Sequence, residues 1–211
     1  MTFKALANAF IALGLMFYAT ARAEAQSVTL VGFGDSLMAG YELAPDEAFP
    51  ARLEKLLRDK GHDVAIANAG VSGDTTADGL ARLDWSIPDG TKGVILELGA
   101  NDALRGLSPA ESRSNLDAIL KRLKERKIPV LLVGILAPPN MGADYEAQFN
   151  PIYTALASQH GVPLYPFFLD GVAMQPALQL KDGMHPNGDG TSVMAEKILP
   201  AAETFLKSLT P

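Results

Sequence analysis

Ser36, in Gly34-Asp35-Ser36-Leu37, and His185, in Asp182-Gly183-Met184-His185, are far apart in the chain but chemically suited to act together. A serine hydroxyl is a weak nucleophile until an imidazole can take its proton. The imidazole works best when a carboxylate fixes its tautomer and stabilises its charged form. Asp182, three residues before the histidine, can supply that carboxylate. Together the three side chains point to acyl transfer through a covalent intermediate, with ester hydrolysis as the simplest outcome. A helix-capping serine is the plain alternative for Gly-Asp-Ser taken alone. The other two histidines have structural explanations. His62 follows Gly61 in a predicted surface turn beside Asp63, and His160 closes a predicted helix, where the macrodipole favours a cation.

Acyl transfer also needs donors for the oxyanion. Gly99-Ala100-Asn101-Asp102 offers an asparagine amide, and Ser72-Gly73-Asp74 offers a backbone N–H with no Cβ in the way. The Ser36 N–H is the third candidate. Asp35 and Asp102 read as carboxylates that brace loops, and Asn68 as a residue that fixes neighbouring loops. A dinucleotide site is rejected, because Gly32-x-Gly34 would need its third glycine where Leu37 stands. The chain has no cysteine, which excludes thiolate chemistry and Cys-bound metal. No metal site and no cofactor are expected.

These residues need a scaffold that brings both ends of the chain together. Residues 28–33, 63–67, 94–98, 129–136 and 162–165 read as strands, the fourth being the strongest buried run. Between them lie helical patterns. Residues 49–60 put Leu53, Leu56 and Leu57 on one face. Ser108-Pro109-Ala110-Glu111 has the form of a capping box, followed by Leu116, Ile119, Leu120 and Leu123 at helical spacing. A further helix is interrupted at Asn150-Pro151, and a last one covers residues 187–206. Alternating strands and helices predict an α/β fold with a parallel sheet covered on both faces. In such sheets reactive residues gather beyond the carboxyl ends of the strands. The segments holding Ser36, Gly73 and Asn101 each follow a predicted strand, so one rim should collect them.

The chain has 211 residues, 48% of them hydrophobic, with no internal repeat or linker, which suits one domain over residues 26–211. Residues 1–25 read as a cleaved export signal. A basic start at Lys4 is followed by an apolar run too short to span a bilayer, then small residues around Ala21 to Ala25. A periplasmic or secreted protein without stable membrane insertion is expected, and a monomer. Cleavage after Ala23 would take Lys4 and Arg22 from the 18 basic residues and leave 16 against 24 acidic ones, a formal charge of −8. That balance argues against a nucleic-acid partner, since phosphate binding rests on clustered Lys and Arg.

Gly34-Asp35-Ser36-Leu37, Gly73, Gly99-Ala100-Asn101-Asp102 and Asp182-Gly183-Met184-His185 resemble, in order, the four signature blocks of the SGNH/GDSL hydrolases. Ser72–Thr76, Gly79-Leu80-Ala81-Arg82-Leu83, Leu104-Arg105-Gly106 and Val162–Phe168 are similar to its periplasmic thioesterase-I, lysophospholipase and arylesterase branch. The resemblance implies a flavodoxin-like three-layer α/β/α sandwich with a five-stranded parallel sheet. It implies Ser36 as nucleophile, His185 as base, Asp182 as its partner, and Ser36, Gly73 and Asn101 as oxyanion donors. The implied substrates are small esters or thioesters, lipid-derived ones among them, hydrolysed without metal. One segment, Ala137-Pro138-Pro139-Asn140-Met141-Gly142, departs from the branch in a small residue where a larger aliphatic one stands, which bears on acyl-chain preference. Leu104, Leu107, Pro138 and Met141 are the expected acyl-binding residues. A carbohydrate O-acetylesterase would use the same machinery on another substrate. A non-enzymatic binding module would have lost one of the reacting residues, and none is lost.

Overall fold

The structure is a computed structural model that describes residues 27–209. The segment read as an export signal lies outside the described residues. Strand β1 (Val28–Gly34) leads to a one-turn helix α1 (Ser36–Ala39) and then to α2 (Phe49–Asp59). After β2 (Val64–Gly70) comes α3 (Thr76–Ser86), and after β3 (Gly93–Glu97) come α4 (Ala100–Leu104) and α5 (Pro109–Glu125). Strand β4 (Val130–Val133) precedes α6 (Ala143–Phe149) and α7 (Ile152–His160). The short β5 (Leu164–Tyr165) precedes the long α8 (Gly188–Leu209).

The five strands form one parallel sheet in the order β2-β1-β3-β4-β5. This is the flavodoxin-like doubly wound order, whose direction of winding reverses between β1 and β3. Parallel strands need crossover helices. Those leaving β1 leftwards and β2 rightwards must cover opposite faces if both crossovers are right-handed. Helices α2 and α8 pack together on one face, and α3, α5 and α7 on the other.

Burial follows from this layering. Every residue of β3 and β4 is buried, as expected of strands covered on both faces, whereas the edge strands β2 and β5 are partly open. Leu53 and Leu57 of α2 and Leu116, Ile119, Leu120 and Leu123 of α5 lie in the core. Each contributes about 1.5–3 kcal/mol over an exposed side chain. Ser108 caps α5, its hydroxyl accepting the Glu111 N–H at 3.4 Å, with Pro109 in the first turn. Among the described residues the Glu111 side chain makes no return bond, so only half of the expected box forms.

The structure corrects some boundaries. Strand β4 stops at Val133 rather than at residue 136: Gly134 still donates to Tyr165 O at 2.8 Å, but it lies against the Pro166 carbonyl and its own carbonyl accepts the Phe168 N–H at 2.9 Å. Helix α3 was not assigned from the sequence. A glycine in its middle (Gly79, which meets Leu98) and its polar face obscure the hydrophobic period. Thr75 and Asp78 form a reciprocal capping box at its start. Among the described residues, no helix is long and apolar enough to cross a membrane.

Candidate active site

The end of β1 and the start of α1 form the turn that carries Ser36. Asp35 is the N-cap of α1, and its carboxylate accepts the Leu37 N–H at 3.0 Å. Ser36 is therefore the first helical residue, and its own N–H has no intrahelical partner. Gly40, at φ +78°, ends the helix after one turn. Asn68 ties this turn to β2, donating to Ala39 O at 3.1 Å and accepting the Gly70 N–H at 2.9 Å. The loop-fixing role read for Asn68 is what these bonds perform.

His185 arrives from the other end of the chain, in the loop before α8. Its Nε2 lies 2.9 Å from the Ser36 hydroxyl and its Nδ1 2.6 Å from Asp182 Oδ2. A carboxylate only accepts, so Nδ1 carries the hydrogen and Nε2 is left to accept from Ser36. The loop holds this geometry by itself. Asp182 Oδ1 accepts the Met184 and His185 N–H groups at 2.9 and 3.1 Å, and Leu180 N–H donates to His185 O at 2.8 Å. Burial pushes the Asp182 carboxyl up, but the bonds from the His185 ring and the two backbone N–H groups outweigh it and hold the group at about 2. The Tyr41 ring packs on the imidazole, centroids 4.5 Å apart.

The predicted oxyanion donors meet at the same crevice, at the reversal point between β1 and β3. Gly73 sits at φ +90°, a conformation open to glycine, and its N–H has no partner among the described residues. Its carbonyl accepts from Arg105 at 2.8 Å. Asn101 differs from the simple expectation of a free amide. Its Nδ2 donates to Asp35 Oδ2 at 3.2 Å and to Asp74 O at 2.9 Å. Both amide hydrogens are engaged at rest, so stabilising an oxyanion means exchanging the longer bond.

Bracing surrounds these groups. Asp102 accepts from Thr76 N–H (2.8 Å), Thr76 Oγ1 (2.6 Å) and Ser112 Oγ (2.8 Å), which is loop bracing. Asp35 braces too, through Leu37 and Asn101; burial raises its carboxyl to about 6, against the pull of those two bonds. Sequence pattern assigns Arg82 no role. Its guanidinium lies over Phe33, pairs with Asp74, and donates to Ala69 O (2.9 Å) and Gly34 O (2.8 Å), tying together the ends of β1 and β2 and the Gly73 turn. Glu97 is a second residue that sequence reasoning misses, and a lone acid in an apolar strand is the signal that could find it. His62 faces Glu203 at 3.1 Å and His160 faces Asp117 at 2.7 Å, both away from this site.

Gly99 shows how tightly the rim is packed. It sits at φ +120°, and a Cβ there would overlap the buried Tyr153 hydroxyl, which donates to Leu98 O at 2.7 Å. Gly99→Ala is expected to lower stability by about 2–4 kcal/mol from backbone strain and overpacking, read as a reduced urea midpoint with unchanged slope.

The predicted acyl-binding residues fall on this edge of the sheet. Leu104 and Leu107 are exposed, and Pro138 and Met141 are half-buried. Met141 reaches Gly106, and Tyr145 donates to Leu107 O at 2.8 Å, which closes the segment holding Pro138 and Met141 onto the loop after α4. Exposed Tyr41, Val71, Leu136 and Met184 add apolar surface on the same rim.

Comparison with known proteins agrees with this arrangement. A profile of the GDSL-like lipase/acylhydrolase family matches residues 33–193. An arylesterase of Vibrio mimicus is 38% identical over 196 residues, which is 92% of this chain and 96% of that protein. Thioesterase 1/protease 1/lysophospholipase L1 of Escherichia coli K12 is 39% identical over 189 residues, 89% of this chain and 87% of that one. The crystal structure of AlinE4, an SGNH-hydrolase family esterase, superimposes with a TM-score of 0.73 at 48% identity, covering 88% of this chain and 98% of its own. A parallel sheet wound in this order, a rim that joins Ser36 to His185, and relatives that are esterases along nearly their whole length lead to one conclusion: the chain belongs to the GDSL-like lipase/acylhydrolase family and is an SGNH-type ester hydrolase.

Proposed function

We propose that the enzyme hydrolyses carboxylic esters, and acyl thioesters with them, through an acyl-enzyme on Ser36. The observation that carries this reading is the continuous contact from Asp182 through His185 to the Ser36 hydroxyl, at 2.6 and 2.9 Å. Ser36 Oγ attacks the carbonyl carbon while His185 Nε2 takes its proton. The tetrahedral oxyanion is met by the Ser36 and Gly73 N–H groups and by the Asn101 amide. As the intermediate collapses, His185 returns the proton to the departing alcohol or thiol. Water then repeats both steps on the acyl-enzyme and restores the serine. Asp182 stays ionised throughout and holds the ring tautomer.

Leu104, Leu107, Pro138 and Met141 serve as the acyl side of the groove. Their apolar surface favours acyl or aryl esters over acetylated sugars, for which the rim provides little aromatic stacking. The relatives named arylesterase and thioesterase/lysophospholipase support the same substrate range. Export by the N-terminal segment is part of the proposal, with the enzyme acting in the periplasm or outside the cell as a monomer.

Labelling by a fluorophosphonate followed by peptide mapping tests the nucleophile; modification at any other serine overturns it. Nitrophenyl esters from acetyl to palmitoyl, run beside acyl-CoA, test the substrate class. Activity confined to acetyl esters of sugars would replace this reading with the O-acetylesterase. Asn101→Ala is expected to lower kcat by about 10²–10³-fold with little change in KM, since its bond to the substrate oxygen strengthens in the transition state. Steady-state kinetics on one aryl ester measure both constants.

A further inference from the structure

Glu97 is the last residue of β3 and is completely buried. It follows the Phe33–Leu96 rung of the β1–β3 ladder, which brings it beside Gly34. Its carboxyl occupies the place where a side chain on Gly34 would stand. Oε2 accepts the Asp35 N–H at 3.3 Å, and Oε1 has no hydrogen-bond partner among the described residues. The carboxyl buries an unmatched oxygen in an apolar strand, a cost that its one bond to the Asp35 N–H has to offset. What it does reach is the peptide group immediately before Ser36.

The charge of the pair is decided by its donors. Asp35 receives Leu37 N–H and the Asn101 amide, whereas Glu97 receives one backbone N–H. Two adjacent buried carboxylates repel, so the anion rests on the better-served Asp35 and the proton on Glu97. Burial and the neighbouring Asp35 both push Glu97 well above the usual carboxylate range. The other titratable groups around the pair are Asp102, Tyr153 and His185, and none donates to Glu97.

We infer that Glu97 is a positioning residue for the acyl-transfer step, an uncharged acid that fixes the Asp35 amide and through it the Ser36 turn. It touches no substrate. By staying neutral it lets Asp35 remain the anion that caps α1 and holds Asn101. The inference rests on Ser36 being the nucleophile.

Four variants test it. Glu97→Leu should still fold, read as a single cooperative thermal unfolding transition. Its kcat should fall on the order of 10–100-fold with KM nearly unchanged, as misplacement of a reacting group does. Glu97→Gln, which keeps a neutral acceptor of the same length, should recover most of that rate. Glu97→Asp withdraws the acceptor by one methylene and should lose rate as Leu does, which keeps the test decisive if the leucine variant does not fold. Wild-type kcat in folded Glu97→Leu or Glu97→Asp overturns the inference, and so does a Gln variant as slow as Leu. Mapping the fluorophosphonate label in wild type and in Ser36→Ala separates the two failures. A label away from Ser36 sinks the nucleophile assignment, whereas a label on Ser36 with unaffected Glu97 variants sinks only this inference.

Discussion

Ser36→Ala is expected to reduce kcat by on the order of 10⁴–10⁶-fold while leaving the unfolding transition in place. The size follows from the chemistry. Without Oγ there is no acyl-enzyme, and only the oxyanion donors and the groove remain to assist direct attack by water. Stability should change little, because among the described residues the hydroxyl's one polar contact is with His185 Nε2, at 2.9 Å on the rim of the molecule. Steady-state hydrolysis of a nitrophenyl ester, together with thermal unfolding, reads both. An alanine variant within tenfold of wild type would mean that the relay of His185 and Asp182 serves another nucleophile. His185→Ala should lose a comparable amount, and the double variant should lose little more than either single one, since the residues act as a unit.

Asp182→Asn is expected to cost about 10³–10⁴-fold in kcat. An asparagine presenting its NH₂ to Nδ1 would favour the opposite tautomer, which places the ring hydrogen on Nε2, facing the serine it should deprotonate. The same residue gives a pH signature. The Asp182 carboxyl titrates at about 2 in the folded protein against an ordinary 3.8. A depressed carboxyl stabilises the fold fully above its unfolded value. That contribution is lost as pH falls through about 4 to about 2. Asp35 has the opposite sign. Its folded value of about 6 exceeds 3.8, so it weakens the fold as pH rises from about 4 to about 6. Thermal unfolding across pH 2–7 should therefore show wild type gaining stability from about pH 2 to about pH 4, a rise that Asp182→Asn lacks, with the two curves running parallel above it. A wild-type acid loss that persists unchanged in Asp182→Asn would remove this explanation.

Much of the site was legible from residue types and order. Ser36, Gly73, Asn101 and His185 each follow or precede a predicted element at the same edge, and a parallel sheet leaves one edge for them to share. Burial of Leu116, Ile119, Leu120 and Leu123 followed from helical spacing alone. Apolar runs also located all five strands of the sheet. Local pattern was weaker where tertiary contacts set the boundary. Strand β4 is cut short by the close approach of Gly134 to Pro166, and β5 holds only two residues. Helix α3 hid its period because Gly79 must meet Leu98 where a larger side chain would not fit.

The sequence by itself determined which chemistry was available: a nucleophile, a base with its acid three residues away, and glycines where the backbone must turn. Those are covalent and short-range facts, carried by residue type and local spacing. Only the tertiary structure decided that two residues 149 positions apart, Ser36 and His185, close to 2.9 Å. It also decided that Asn101 rests with both hydrogens occupied, that Arg82 ties three segments together, and that an acid in β3 ends with one oxygen unmatched beneath Ser36. These depend on which strands become neighbours and on what burial does to a charge, and both are long-range properties of the packed sheet.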